Sequence, residues 1–258
     1  MLFLISPAKT LDYESPLPAD VPATMPDFVD RSEKLIAVLR RKSARQVSQL
    51  MDLSPALSEL NVGRYRDWAP DFTDGQSRQA VLAFNGDVYD GLEARKLSAG
   101  DLGWAQQHLR ILSGLHGVLR PLDRIRPYRL EMGTALKVGR ADNLYRFWGP
   151  GIAERLNEDL AADASPVIVN LASQEYFRAV DLKALKARVV ECVFEDWKDG
   201  WKVISFFAKK ARGRMARFAI TRRVGTPQGL EAFDLDGYRF DATASSPGKL
   251  VFRRKMQP

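Results

Sequence analysis

The chain has 258 residues, 45% of them hydrophobic and 28% charged, with a formal net charge of +7 and a pI near 9.5. That composition supports a sizeable packed core and excludes a disordered chain, and the single cysteine, Cys192, excludes an internal disulfide or a CxxC redox pair. The basic balance favours a polyanionic partner, either nucleic acid or a phosphorylated small molecule.

The chain opens with MLFLIS, an apolar run that stops at Ser6-Pro7 and lacks a basic leader. No run approaches the roughly 20 apolar residues that span a bilayer. The expectation is a cytoplasmic protein with no membrane partner. The segment Tyr13 to Pro26 carries Pro16, Pro18, Pro22 and Pro26 and reads as an extended connector. A helix is expected from about Asp30 to Lys42. Ser43 then looks like the N-cap of a short helix through Met51, and Ser54-Pro55 opens another toward Trp68. Together these form a helical insertion over about 30–69 whose short connections predict hairpins.

Beyond it the pattern alternates. Strands are expected at Leu2–Ile5, Val81–Phe84, Val167–Leu171, Val189–Phe194 and Val203–Phe207, mostly as continuous apolar runs that suit strands buried on both faces. Helical patterns cover Gly149 to Ala162 and Ser173 to Val180. The stretches YRFDA and KLVFRRK alternate like antiparallel strands at a sheet edge. The predicted fold class is α/β, a single compact domain over 1–258 with a mixed central sheet.

Several strands run straight into polar stretches: SPAKTLD, NGDVYDG, ASQEYF and AKKARG. Ligand groups in an open α/β sheet gather beyond the carboxyl ends of its strands. Lys9, Asn85, Asp87, Ser173, Lys209, Lys210 and Arg212 are therefore expected to converge on one cleft. The helix after Ala208 is predicted to bury Ala211, Met215 and Phe218, with Lys210, Arg214 and Arg217 on an adjacent face. No acid occurs between Trp201 and Leu230, which makes that face an electrostatic footprint for phosphates, aided by free N–H groups near Gly213. Arg110, Arg120, Arg124, Arg126 and Arg129 form a second basic cluster around Gly114 and Gly117, a glycine hairpin that could offer backbone amides to a phosphate.

Asp87 and Glu131 are the candidate acid/base residues, each equally able to be an arginine's partner. Neither His108 nor His116 has carboxylates or cysteines at metal-ligand spacing, so no metal and no cofactor is expected. His116, in the glycine stretch, is the better placed of the two to touch a ligand. Cys192 sits in an apolar run and reads as a packed thiol.

The blocks LISPAKTLDY, QAVLAFNGDVYDGL, QHLRILSGLHGVLRPLD, PYRLEMG, VNLASQEYF and ISFFAKKARGRMARF together resemble the bacterial YaaA peroxide-stress-response family, in order along essentially the whole chain. The resemblance implies a single α/β domain with a positively charged cleft and a helix-hairpin-helix-like element. It also implies binding to double-stranded or branched DNA and a role in limiting oxidative damage linked to iron. The glycine hairpin at Gly114 and the helices between Asp30 and Trp68 are both candidates for the hairpin element. Two functions follow as expectations. The first is DNA binding without strong sequence preference, with phosphate contacts from Lys9, Arg120, Arg129, Lys209, Lys210, Arg212, Arg214 and Arg217. The second is an enzyme that takes a small phosphorylated ligand or nucleic acid in the strand-end cleft.

Overall fold

The apolar run at the N-terminus becomes β1 (Leu2–Ile5), followed by the two-residue β2 (Thr10–Leu11) and then helices α1 (Val29–Leu39), α2 (Ala44–Met51) and α3 (Pro55–Asp67). Next come β3 (Arg78–Gln79), α4 (Ala80–Ala83), β4 (Phe84–Asn85), α5 (Asp87–Leu92) and α6 (Ala99–His108). The hairpin of β5 (Leu109–Ser113) and β6 (Gly117–Leu119) precedes β7 (Arg124–Ile125), α7 (Leu144–Trp148), α8 (Gly151–Asp159), β8 (Val167–Asn170) and α9 (Gln174–Phe177). The chain ends with β9 (Arg188–Trp197), β10 (Trp201–Lys202), α10 (Ser205–Arg222), β11 (Arg239–Phe240) and β12 (Lys249–Arg254). This computed structural model describes residues 1–18, 21–72 and 75–255; Ala19 and Asp20 of the predicted connector lie outside the described residues.

The architecture is a single-domain α/β fold around a mixed sheet of order β11-β12-β9-β8-β1-β5-β6, with β10 paired to β9. β12, β9, β8, β1 and β5 run parallel, whereas β6, β10 and β11 are antiparallel additions. β1 is buried along its whole length because β5 and β8 flank it, Phe3 in register with Leu109 and Leu2 with Ile168. After β1 the chain builds β5 on one side and only later returns to lay β8 on the other. The strand order thus reverses between β1 and β8, and at such a switch point the connections diverge and leave a crevice beyond the carboxyl ends.

The three-helix segment forms as its caps dictate. Ser43 accepts from the Gln46 N–H while Gln46 reaches back to the Ser43 N–H, a reciprocal capping box. Ser54 caps α3 with Pro55 in its first turn.

Four expectations need correction. Val81–Phe84 is not a strand: Ala80–Ala83 makes one helical turn, and a short run buried on all sides carries no periodicity to separate helix from strand. Val203–Phe207 is not a strand either, because β10 ends at Lys202 and α10 begins at Ser205, extending back the alanine- and arginine-rich helix that follows. The KLVFRRK strand, β12, lies inside the sheet between β9 and β11, parallel to β9, with Leu250, Val251 and Phe252 buried. The glycine stretch is a buried β-hairpin, with the Gly114 backbone against Leu130 and Gly117, at φ +68°, against Trp148. Residues 111–119 are all buried, so the stretch offers no exposed phosphate cradle.

Candidate functional site

At the switch point, Ser6 follows β1 and Ser173 follows β8. The Ser173 N–H donates to Ser6 Oγ at 2.9 Å, and Ser6 Oγ lies 3.3 Å from Ser173 Oγ. These two bonds tie the strand ends together and form the floor of a cleft of about 430 Å³, within the range of small-ligand sites. One wall is the segment from Pro7 to Thr10, held by the β2–β4 ladder that sets Thr10 opposite Asn85. The α5 start, Gly86 to Tyr89, forms a second wall, and the Tyr89 hydroxyl donates to the Ser6 carbonyl at 3.1 Å. Lys209 and Arg212 of α10, Glu131, Glu175 and Tyr176 complete the lining.

Six of the seven residues expected to converge do so: Lys9, Asn85, Asp87, Ser173, Lys209 and Arg212 all line this cleft. Lys210 is absent from the lining. Both acid/base candidates are present, and each faces a lysine: Glu131 is 2.9 Å from Lys9, and Asp87 is 3.6 Å from Lys209. Arg129 stands one step behind, 3.0 Å from the same Glu131.

Arg212 differs from the other cations. It is partly buried, and among the described residues its side chain donates no hydrogen bond and forms no ion pair. Burial lowers its pKa from the usual arginine value, and the charge of Glu191 opposes that shift only from a distance. A guanidinium drawn partly out of water without an acceptor favours any anion that reaches it.

Arg214, Arg217 and Arg120, also predicted phosphate ligands, are engaged elsewhere. Arg214 pairs with Glu93 and, at 3.5 Å, with Asp236, while Arg217 donates to the Leu92 and Glu93 carbonyls at 3.0 Å. Lys96 and then Arg214 hold the Glu93 carboxyl down to about 2. Arg120 binds Asp123 at 2.9 Å and the Met25 carbonyl at 2.7 Å, which fastens the connector to the β6 end. Gly213 offers no free amides at a helix end. It lies mid-helix, where a Cβ would come within 1.8 Å of the Val88 carbonyl oxygen, so α10 and α5 cross backbone to backbone.

His116 does not reach the cleft. It is fully buried among Trp68, Phe72 and Tyr128, with Nδ1 3.0 Å from Ser32 Oγ, and burial depresses its pKa to about 3. Cys192 is buried and its thiol is pushed up to about 12, as a packed residue would be. Among the described residues no cluster of three or more metal-ligating side chains occurs, and no helix is long and apolar enough to cross a membrane.

Glu175 and Tyr176 also line the cleft without being among the expected residues; they follow β8 in the ASQEYF stretch, and the strand-end rule that selects Ser173 extends to them. With Glu175 included, the lining holds Lys9, Lys209 and Arg212 against Asp87, Glu131 and Glu175. The cleft is balanced in charge rather than uniformly basic.

Comparison with known proteins agrees with the resemblance read from the sequence. Residues 1–244 match the family described as "Peroxide stress protein YaaA". A UPF0246 protein of Paracidovorax citrulli is 63% identical over 256 residues, covering 99% of both chains. A UPF0246 protein of Bordetella pertussis shows the same identity and coverage, and one of Variovorax paradoxus is 60% identical over 259 residues, again covering 99% of both chains. With a profile match over most of its length and relatives this similar from end to end, the chain belongs to the YaaA peroxide stress protein family.

Proposed function

We propose that this member of a peroxide stress family binds DNA, duplex or branched, and holds a backbone phosphate in the strand-end cleft. The observation that carries the reading is Arg212, a partly buried guanidinium that lines the cleft with no acceptor of its own among the described residues. Lys9 and Lys209 stand at the same cleft, paired only with carboxylates on its surface. A phosphate entering there gains three cations, and phosphate contacts fix position without reading sequence.

The cleft also limits the footprint. Arg120, Arg129, Arg214 and Arg217 do not line the cleft, and each pairs with a carboxylate. A single backbone phosphate held in the cleft gives a slope of log K against log salt of about −1, where eight candidates each on its own phosphate would give about −7. The test is fluorescence anisotropy of a labelled duplex and a branched junction across a salt series, with wild type and Arg212→Ala. Salt-sensitive binding weakened about tenfold in the variant is expected, since a charge-assisted contact contributes more than a neutral one. Binding that is flat with salt, or unchanged in Arg212→Ala, rejects the cleft as the phosphate site.

A second reading has its own observation. Asp87 and Glu131 share the cleft with Arg212, an arrangement that suits an enzyme holding a phosphorylated ligand on the arginine while a carboxylate moves a proton. Calorimetry with inorganic phosphate and the four deoxynucleoside monophosphates separates the two. Micromolar binding of one nucleotide, lost in Arg212→Ala, places the enzyme reading first.

A further inference from the structure

The β9–β10 hairpin projects beyond its sheet. Among the described residues β8 pairs with β9 only over Arg188–Glu191 and β12 only over Glu191–Asp196, so there Trp197 has a ladder partner in β10 alone. That partner is Trp201, directly opposite, with ring centroids 5.1 Å apart at 77°. The turn between them holds Asp199 at φ 52° and Gly200 at φ 122°, closed by the Lys198 N–H donating to the Gly200 carbonyl at 2.9 Å. Trp68 and Trp148 are fully buried, but Trp197 is 46% exposed. A cross-strand tryptophan pair stabilises a hairpin, yet that role does not require an indole to stand open to solvent.

Cations frame the pair. The Lys255 ammonium lies 5.3 Å over Trp197, and the Arg253 guanidinium 4.9 Å over Trp201. Arg253 is neutralised by Glu195 and Asp241, but Lys198, Lys202 and Lys255 are exposed, and Asp199 is the acid at the turn. Val203 and Phe206, both more than half exposed, lie on the segment from Trp201 to Lys209, and Lys209 lines the cleft.

We infer that this hairpin is a stacking platform for unpaired bases of single-stranded nucleic acid, with its lysines on the flanking phosphates. Exposed aromatic faces among cations suit a strand whose bases are free to stack, whereas bases held within a duplex are already stacked on one another. The leading edge of the hairpin is Lys198–Asp199–Gly200, polar throughout, which disfavours insertion into a bilayer; the indoles sit behind it.

The inference is independent of Arg212, and the experiment keeps the two apart. Full-length wild type, Trp197→Ala, Trp197→Phe and Arg212→Ala are titrated with labelled oligo-dT of roughly 20 nucleotides and with duplex of equal length, above typical site sizes. Trp197→Ala is expected to weaken oligo-dT binding about tenfold or more, with duplex binding within about twofold and Trp197→Phe close to wild type. Equal affinity of Trp197→Ala for oligo-dT, or an equal loss on both DNAs, overturns the platform. So does a Trp197-dependent affinity for phosphatidylglycerol vesicles or for a second copy of the chain, without one for oligo-dT. If Arg212→Ala leaves duplex binding unchanged while Trp197→Ala weakens binding of oligo-dT alone, the cleft reading fails and the platform stands.

Discussion

Two arginines of one helix, Arg212 and Arg214, lie two residues apart and meet opposite circumstances. Arg214 closes on Glu93 and Asp236, and Arg217 a turn later joins it on the same α5 end. Arg212 faces the crevice beyond β1 and β8 and has no acceptor among the described residues. The difference teaches that a basic run does not mark an anion site by its charge alone. A site remains where the fold leaves a cation short of partners, and that shortage arises where the sheet's strand order reverses.

The comparison can be broken or sharpened at several points. The largest effect is expected from Gly213→Ala, whose Cβ would strike the Val88 carbonyl and force α10 off α5, dismantling both halves at once. Destabilisation of about 3 kcal/mol or more, beyond ordinary overpacking, is expected in urea unfolding. The interior half has a pH signature through His116. Its folded pKa of about 3 lies below the usual 6.5. The unfolded chain therefore binds more protons between those values, and stability is lost as pH falls through that window. Wild type should lose about 2 kcal/mol between pH 7 and 5 that His116→Asn does not lose, measured by urea unfolding at both values.

Arg214→Ala is expected to cost about 1–2 kcal/mol of stability, because it leaves Glu93 and Asp236 facing one cation fewer, while DNA affinity per folded molecule stays unchanged. Arg212→Ala should do the reverse, weakening DNA binding while shifting stability by less than about 0.5 kcal/mol, since it removes no side-chain hydrogen bond or ion pair to the described residues. Equal effects of these two variants on both measurements would erase the distinction between them. Smallest of all, Lys210→Ala should change stability by less than about 0.5 kcal/mol and leave the cleft intact.

Much of this was legible in the sequence where local chemistry decides the outcome. Ser43 with Gln46, and Ser54 with Pro55, set the starts of α2 and α3 because a cap satisfies specific amides and tolerates no shift. The continuous apolar runs of β1 and β8 could only be strands flanked on both sides, and the polar stretches after them led to the cleft. What stayed hidden depended on distant partners. Glu93 lies more than a hundred residues from Arg214 in sequence, so nothing near α10 shows that its arginines are already paired. The Val203–Phe207 run misleads because β-branched and aromatic residues favour strands, while Phe206 is here an exposed residue of a helix's first turn. Gly114 and Gly117 looked like loop glycines for a ligand, but they are the points where a buried hairpin touches Leu130 and Trp148.

The contact of Gly91 with Gly213 has one more consequence. A Cβ added at either position would collide with main chain, at 2.2 Å for Gly91 and 1.8 Å for Gly213, so the two helices meet without side chains between them. Asp87 on one helix and Lys209 and Arg212 on the other are therefore mounted on a single fixed gauge, whose width is set by peptide groups. Cleft side chains can be exchanged without altering that gauge, so what the crevice holds can change while its jaws keep one spacing.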